Sequence, residues 1–298
     1  MRDLLVVHGG VDMPTDEATE TALISAARAG WLELADPIAA VVTAVGNLES
    51  DPLFNAGYGS VLNADGEVEV DAAIADGSTG SIGAVAAVSG LQHPIRVAAE
   101  VLRVGGAVLL SGVGARQFAD AMGEPTDDLR TSAQIHSWEA FRSGKTLSPF
   151  TGGYIPPATE TVGCIVYADG KLIVGTSTGG VCGKSAGRIG DSAILGAGHW
   201  ADKQIAVLCS GEGEAIIKTR LASRVADNIH DGQSVASAVE WAVRHLFDQT
   251  GAICAVVAFN AATDELGSAH SGSDFPVLAF DGVTPHLISP HRVVCEPA

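Results

Sequence analysis

The chain has 298 residues, 47% hydrophobic and 17% charged, with 35 Asp and Glu against 17 Lys and Arg for a formal net charge of −18. That length supports a large core, and the hydrophobic content excludes a disordered chain. The acidic excess excludes nucleic acid and anionic membrane as partners, and no apolar run is long enough to span a bilayer.

Leu4 to Val7 reads as a short buried strand stopped by Gly9-Gly10. With its few preceding residues it is an edge of a fold, too short for a signal peptide. Asp16 to Leu34 predicts a helix with a small-residue face at Ala22, Ala26 and Ala27. A second helix, Asp36 to Leu48, has a capping Asp36, Pro37 at its first position, and Ile38, Val41, Val42, Val45 and Leu48 at burial spacing. The segment Leu48 to Leu62 has no helical period yet is apolar, so it must fold down onto the body and find partners for its carbonyls.

Glu67 to Ile74 alternates like a strand with one wet face, and Ile82 to Val88 reads as a fully buried strand. His93-Pro94 opens a helix to Val104, followed by a strand (107 to 110) and helices at 114 to 122 and 132 to 143. Gly112-Val113-Gly114-Ala115-Arg116-Gln117 imitates a dinucleotide fingerprint but has Gln117 in place of the third glycine, so no NAD site is expected. Gly144 to Glu160, rich in Thr, Ser, Pro and Gly, reads as a strap between halves.

Beyond the strap, Thr161 to Val166 and Leu172 to Thr178 flank a turn at Ala168-Asp169-Gly170, an antiparallel hairpin that brings Thr161 next to Thr178. A threonine hydroxyl is a weak nucleophile unless a base adjoins it. If Thr161 became a chain terminus, its own amine would be that base. A strand at 205 to 209, helices at 214 to 230 and 234 to 246, and strands at 253 to 259, 267 to 270 and 276 to 280 complete the pattern. Alternating helices and strands on both sides of the strap permit two packed sheets sheathed by helices. Five widely spaced cysteines without CxxC predict reduced thiols in a cytoplasm, and nine scattered histidines show no zinc spacing.

His8-Gly9-Gly10, Pro52-Leu53-Phe54-Asn55-Ala56-Gly57, Thr161-Val162-Gly163, Thr176-Ser177-Thr178-Gly179-Gly180, and Gly187-Arg188-Ile189-Gly190-Asp191-Ser192 followed by Gly196-Ala197-Gly198 are specific in combination. With these motifs the chain closely resembles the plant-type asparaginases, or isoaspartyl peptidase/L-asparaginases, among the N-terminal-nucleophile hydrolases. The resemblance covers nearly the entire chain. It implies a four-layer αββα sandwich, a single domain over 1–298 that cuts itself between Glu160 and Thr161 into a 1–160 α subunit and a 161–298 β subunit. Thr161 would then attack L-asparagine or a β-aspartyl dipeptide, oriented by Thr178.

By the same resemblance, Arg188 and Asp191 hold the substrate's α-carboxylate and α-ammonium, with help from the carbonyl of Gly213. A guanidinium fork suits the one and a carboxylate the other. Ser210 and Gly211 stand where the family uses Thr-Gly as the oxyanion donors. His270 to Asp274 lies where the family completes the pocket near the leaving group. The family's sodium loop maps onto main-chain carbonyls of Leu48, Glu49, Asp51, Phe54, Ala56 and Tyr58, with Asn55 ordering the loop. The ion is structural, and catalysis needs no cofactor. A homodimer of processed units is implied, with a small-molecule substrate as the other partner.

Two departures stand out: Glu160 replaces the glycine usual before the nucleophile, and the strap is short. Two other readings therefore stay open, a glycosylasparaginase-like amidase and an unprocessed, non-catalytic protein that binds a zwitterion or serves as an assembly subunit.

Overall fold

The structure, a computed structural model, describes residues 2–144 and 160–295. Most of the expected strap, residues 145–159, lies outside the described residues. The chain opens with β1 (Leu4–His8), α1 (Glu17–Leu32) and α2 (Pro37–Glu49). Both helices begin at a capping aspartate, of which the sequence predicts Asp36. Asp16 accepts the Thr19 amide at 2.9 Å, and Asp36 accepts Ile38 and Ala39 at 3.1 and 3.3 Å. Each such cap contributes about 1 kcal/mol.

Next come β2 (Glu69–Asp76), β3 (Ser81–Ser89), α3 (Pro94–Val104), β4 (Leu109–Ser111), α4 (Gly112–Met122) and α5 (Ser132–Arg142). The second half holds β5 (Val162–Ala168), β6 (Lys171–Thr178), β7 (His199–Ala201), β8 (Ile205–Gly211), α6 (Gly213–Thr219), α7 (Leu221–His230) and α8 (Val235–Thr250). It ends with β9 (Cys254–Asn260), β10 (Glu265–His270), β11 (Val277–Phe280), β12 (His286–Ile288) and β13 (His291–Arg292).

These strands build two sheets, ordered β12-β11-β1-β5-β6-β2-β3-β4 and β13-β10-β9-β8-β7. One core joins α1, α2 and α3 to the larger sheet through Leu23, Val41, Val45 and Ile95 packed with Val7, Ile74 and Val166. Another joins α7 and α8 to the smaller sheet through Val225, Val239 and Val243 with Val207 and Val256. A third draws on both sheets, with Val6, Ile165 and Val174 meeting Leu208, Val257 and Phe259. It is wholly apolar at its centre, which explains why β5, β8 and β9 read as unbroken hydrophobic runs.

Two expectations are corrected. β2 is not half wet: from Val70 to Asp76 every residue is buried. The face assigned to water by Glu67, Glu69 and Asp71 is covered from Asp71 onward by the glycine-rich segment after β6, which contacts β2. The single helix expected from 214 to 230 is two, because Arg220 takes a left-handed φ of 51° and breaks the ladder between α6 and α7. No helix among the described residues is long and apolar enough to cross a membrane.

Candidate active site

The hairpin of β5 and β6 has Val162 opposite Ser177, so Thr161 and Thr178 meet at its open end, as the alternation predicts. Both are 3% exposed. Thr178 Oγ1 donates to the Glu160 carbonyl at 3.3 Å and accepts the Gly180 amide at 3.0 Å. The carbonyl of the 160–161 peptide bond is thus polarised by the hydroxyl next to the candidate nucleophile. On the other side, the fully buried Ser210 Oγ accepts the Thr161 amide at 3.4 Å and the Val11 amide at 3.0 Å. β8, from the smaller sheet, therefore delivers Ser210 and Gly211 to the end of a hairpin in the larger one.

Gly10 closes this arrangement from the end of β1. It sits at φ 103°, and a Cβ there would stand 2.7 Å from both Glu160 Cα and Thr161 N. Only glycine lets the first loop pass so near the 160–161 bond. Glu160 is partly buried. Burial and, secondarily, the Asp12 carboxylate push its pKa up to about 7. Asp12 in turn accepts Ser273 N at 2.7 Å, which ties the 270–274 loop to this corner.

Arg188 and Asp191 face each other across the same cleft, a cavity of about 10 Å³ lined by Thr161, Thr178, Gly180, Arg188, Asp191 and Gly211. That volume admits about one water molecule. Part of the Arg188 fork is already engaged. Its Nε and Nη2 make paired bonds of 2.8 and 2.7 Å to Glu214, so Nη1, beside Gly180 and Gly190, is the edge turned to the cleft. Burial works against this guanidinium, but the bonds and charge of Glu214 outweigh it and its pKa is raised.

Asp191 is 4% exposed, and its Oδ2 has no hydrogen-bond partner among the described residues. Burial, only partly offset by Arg188, lifts its pKa to about 7. A buried carboxylate oxygen without a donor has the capacity to accept one from a ligand. Gly213 opens α6, and a Cβ on it would come within 2.7 Å of Arg188 Nη2 and 3.0 Å of Asp191 Oδ1. The glycine is what allows both side chains to crowd the helix start.

The 48–58 loop lies beneath this corner. Asn55 Nδ2 donates to the Gly180 carbonyl at 2.7 Å, its Oδ1 accepts Val61 N at 3.0 Å, and its carbonyl accepts Gly179 N at 2.9 Å. The loop is therefore fastened to the exit of β6. Of the six carbonyls matched to a sodium shell, those of Leu48, Asp51, Phe54 and Ala56 each accept one backbone amide, leaving a second lone pair on each. With those of Glu49 and Tyr58 they are all oxygen donors, the type a hard cation prefers. The buried Glu49 side chain serves elsewhere, accepting Ile95 N at 3.1 Å at the start of α3.

Sequence reasoning missed Glu214, Asp71 and Lys184. Glu214 follows Gly213 in the glycine turn and was read there only as a helix start. Asp71 and Lys184 are charged residues at 0% exposure, and the only signal for either was a charge placed where the fold turned out to be dry.

A family profile described as Asparaginase matches residues 1–270. A plant-type L-asparaginase of Pyrococcus furiosus is 40% identical over 256 residues, covering 80% of this chain and 84% of that protein. The isoaspartyl peptidase/L-asparaginase of Homo sapiens is 37% identical over 264 residues, 83% of each chain. Its counterpart in Rattus norvegicus is 34% identical over 270 residues, covering 88% of this chain and 81% of that protein.

Proposed function

Since the chain belongs to the asparaginase family, we propose that it is a threonine amidohydrolase that converts L-asparagine to L-aspartate and ammonia and hydrolyses β-aspartyl dipeptides. The observation that carries this reading is the Glu160 carbonyl held by Thr178 Oγ1 directly ahead of Thr161. The two sheets with helices outside them support the four-layer sandwich of the N-terminal-nucleophile hydrolases.

In the unbroken chain Thr161 Oγ attacks the Glu160 carbonyl carbon. The C–N bond breaks, the acyl group moves to oxygen as an ester, and the α-amine of Thr161 is released. Water then hydrolyses the ester, leaving Glu160 as a carboxylate terminus. In the unbroken chain the cavity beside Thr161 has room for about one water, too little for asparagine, so the corner must open on cleavage. In the second phase Thr161 Oγ attacks the side-chain amide, its amine takes the hydroxyl proton, and that proton passes to the departing ammonia or amine as the C–N bond breaks. The β-aspartyl ester left on Thr161 Oγ is then hydrolysed by water, which releases aspartate and restores the hydroxyl. Ser210 and the Gly211 amide serve the developing oxyanion, Arg188 Nη1 the α-carboxylate, and Asp191 with Gly213 the α-ammonium.

The carbonyls of Leu48, Glu49, Asp51, Phe54, Ala56 and Tyr58 would hold a structural sodium ion, which steadies the loop under the site and enters no chemical step. Free thiols at all five cysteines support a reducing compartment, and the cytoplasm is the one we assign. The assembly we expect is a homodimer of processed units, checked by sedimentation of the mature protein.

Intact-mass measurement of purified protein, alongside ammonia release from asparagine, tests the reading. Fragments 1–160 and 161–298 with turnover are expected. The bulk of Glu160 against Gly10 favours the opposing reading, and a persistent full-length chain without turnover would establish it. The site also sets a pH dependence. Asp191 must be ionised to take an ammonium, and its raised pKa of about 7 leaves it protonated in acid. KM for asparagine is therefore expected to rise as pH falls below 7, approaching about tenfold per pH unit. A KM that stays flat through this range removes Asp191 from the ammonium site.

A further inference from the structure

We propose that Asp71 is a positioning residue that moors the loop bearing Arg188 and Asp191 to the sheet, at the level of Thr178, by way of a bulge in β3. The proposal rests on the substrate role given above to Arg188 and Asp191, and it adds how their loop is held in place.

β2 pairs with β3 through Val70 opposite Val88 and Ala72 opposite Val85, so Asp71 alone faces the two residues Ala86 and Ala87. That extra residue is a β-bulge, and Ala87 within it has a φ of 50°. A left-handed alanine costs roughly 1–2 kcal/mol. The bulge frees the Ala87 amide from the ladder, and Asp71 Oδ1 accepts it at 2.8 Å. Asp71 Oδ2 accepts the Gly190 amide, also at 2.8 Å, in the residue that precedes Asp191. On its other side β2 pairs with β6, where Asp71 lies opposite Thr178. One carboxylate thus joins a strained bulge, the substrate loop and the strand of the nucleophile's partner.

Charge explains why a carboxylate stands here. Asp71 is fully buried, and its charge favours the cations of Lys184 and Arg188 while working against the neighbouring Asp191 carboxylate. Lys184 is itself fully buried and donates from Nζ to the Glu69 carbonyl at 2.7 Å. Two residues back along β2, Glu69 takes the Gly187 amide at 3.0 Å, so the loop is moored at both ends by β2 carboxylates. Asp71 is the buried mooring, the one beside Asp191. Asparagine cannot replace it, because two amides point at the side chain and an amide group offers one of them another donor.

The test compares Asp71→Asn with the double variant Asp71→Asn/Ala87→Gly. Glycine takes a φ of 50° without strain, so the second change returns stability to the bulge while leaving Gly190 unmoored. In both variants, amide exchange over residues 187–191 is expected to speed up, and KM for L-asparagine to rise about tenfold or more with kcat much less affected. Thermal stability should recover in the double variant alone. Recovery of KM and exchange along with stability would reduce Asp71 to a brace for the bulge and overturn the proposal, as would an unchanged KM in the single variant. If the parent protein hydrolyses neither asparagine nor β-aspartyl dipeptides, the functional reading falls by itself, and loop exchange decides the mooring.

Discussion

Thr161→Ala is expected to yield a chain that stays whole at residue 160 and loses roughly a millionfold in asparagine turnover, the scale seen when a nucleophile is removed from a preorganised site. The geometry leaves no substitute. Thr178 Oγ1 is committed to the Glu160 carbonyl and the Gly180 amide, and Ser210 Oγ already takes the amides of Val11 and Thr161. Neither hydroxyl has an adjoining amine to take its proton, which a weak nucleophile needs. The alanine removes one hydroxyl and one methyl group from a side chain at 3% exposure, a small perturbation for the sheet. Intact mass reads the cut and ammonia release reads the turnover; either one surviving in purified Thr161→Ala protein defeats the assignment.

Arg188→Ala should cost the second-largest amount. Truncating one partner of a buried, hydrogen-bonded charge pair costs about 2–5 kcal/mol, which here means roughly 30-fold to several-thousandfold in kcat/KM, borne mostly by KM. The loss has two sources. The substrate's α-carboxylate forfeits Nη1, and Asp191 is left buried without the cation that favours its charged form. Glu214 is half exposed and can return to water, so the fold should suffer far less than binding. Lysine at 188 is not expected to rescue, since it cannot bond Glu214 through two nitrogens while presenting a third to the cleft. Kinetics beside thermal unfolding decide the matter, and an unaltered KM would end the clamp role.

Much of this was legible in the residues themselves. The Thr161 hairpin could be read because its two strands have apolar centres and are joined by the turn at Asp169-Gly170, and hairpin register then forces Thr161 against Thr178. Arg188 and Asp191 could be placed in one loop, but their partners could not. Glu214 is far from Arg188 in the chain, and nothing in the pattern of α6 says that its first turn points a carboxylate at a guanidinium. Asp71 was assigned to water because it continues the parity of Glu67 and Glu69. The segment that dries that face lies more than a hundred residues later, so alternation within one strand could not reveal it. The break at Arg220 was hidden for a simpler reason: arginine is a good helix former, and nothing in its local sequence marks the left-handed turn between α6 and α7.

The order of strands in the larger sheet has a thermodynamic consequence. β1 lies between β11 and β5, and β2 lies against β6, so residues from both sides of position 160 alternate across one hydrogen-bonded surface. A protein severed at 160–161 therefore remains a single folding unit made of two polypeptides. Its melting changes molecularity: the uncut chain unfolds with a midpoint independent of dilution, whereas the severed form dissociates as it unfolds and melts at lower temperature the more it is diluted. Neither polypeptide alone owns a complete larger sheet, so refolding after denaturation becomes an encounter between two molecules instead of a collapse within one.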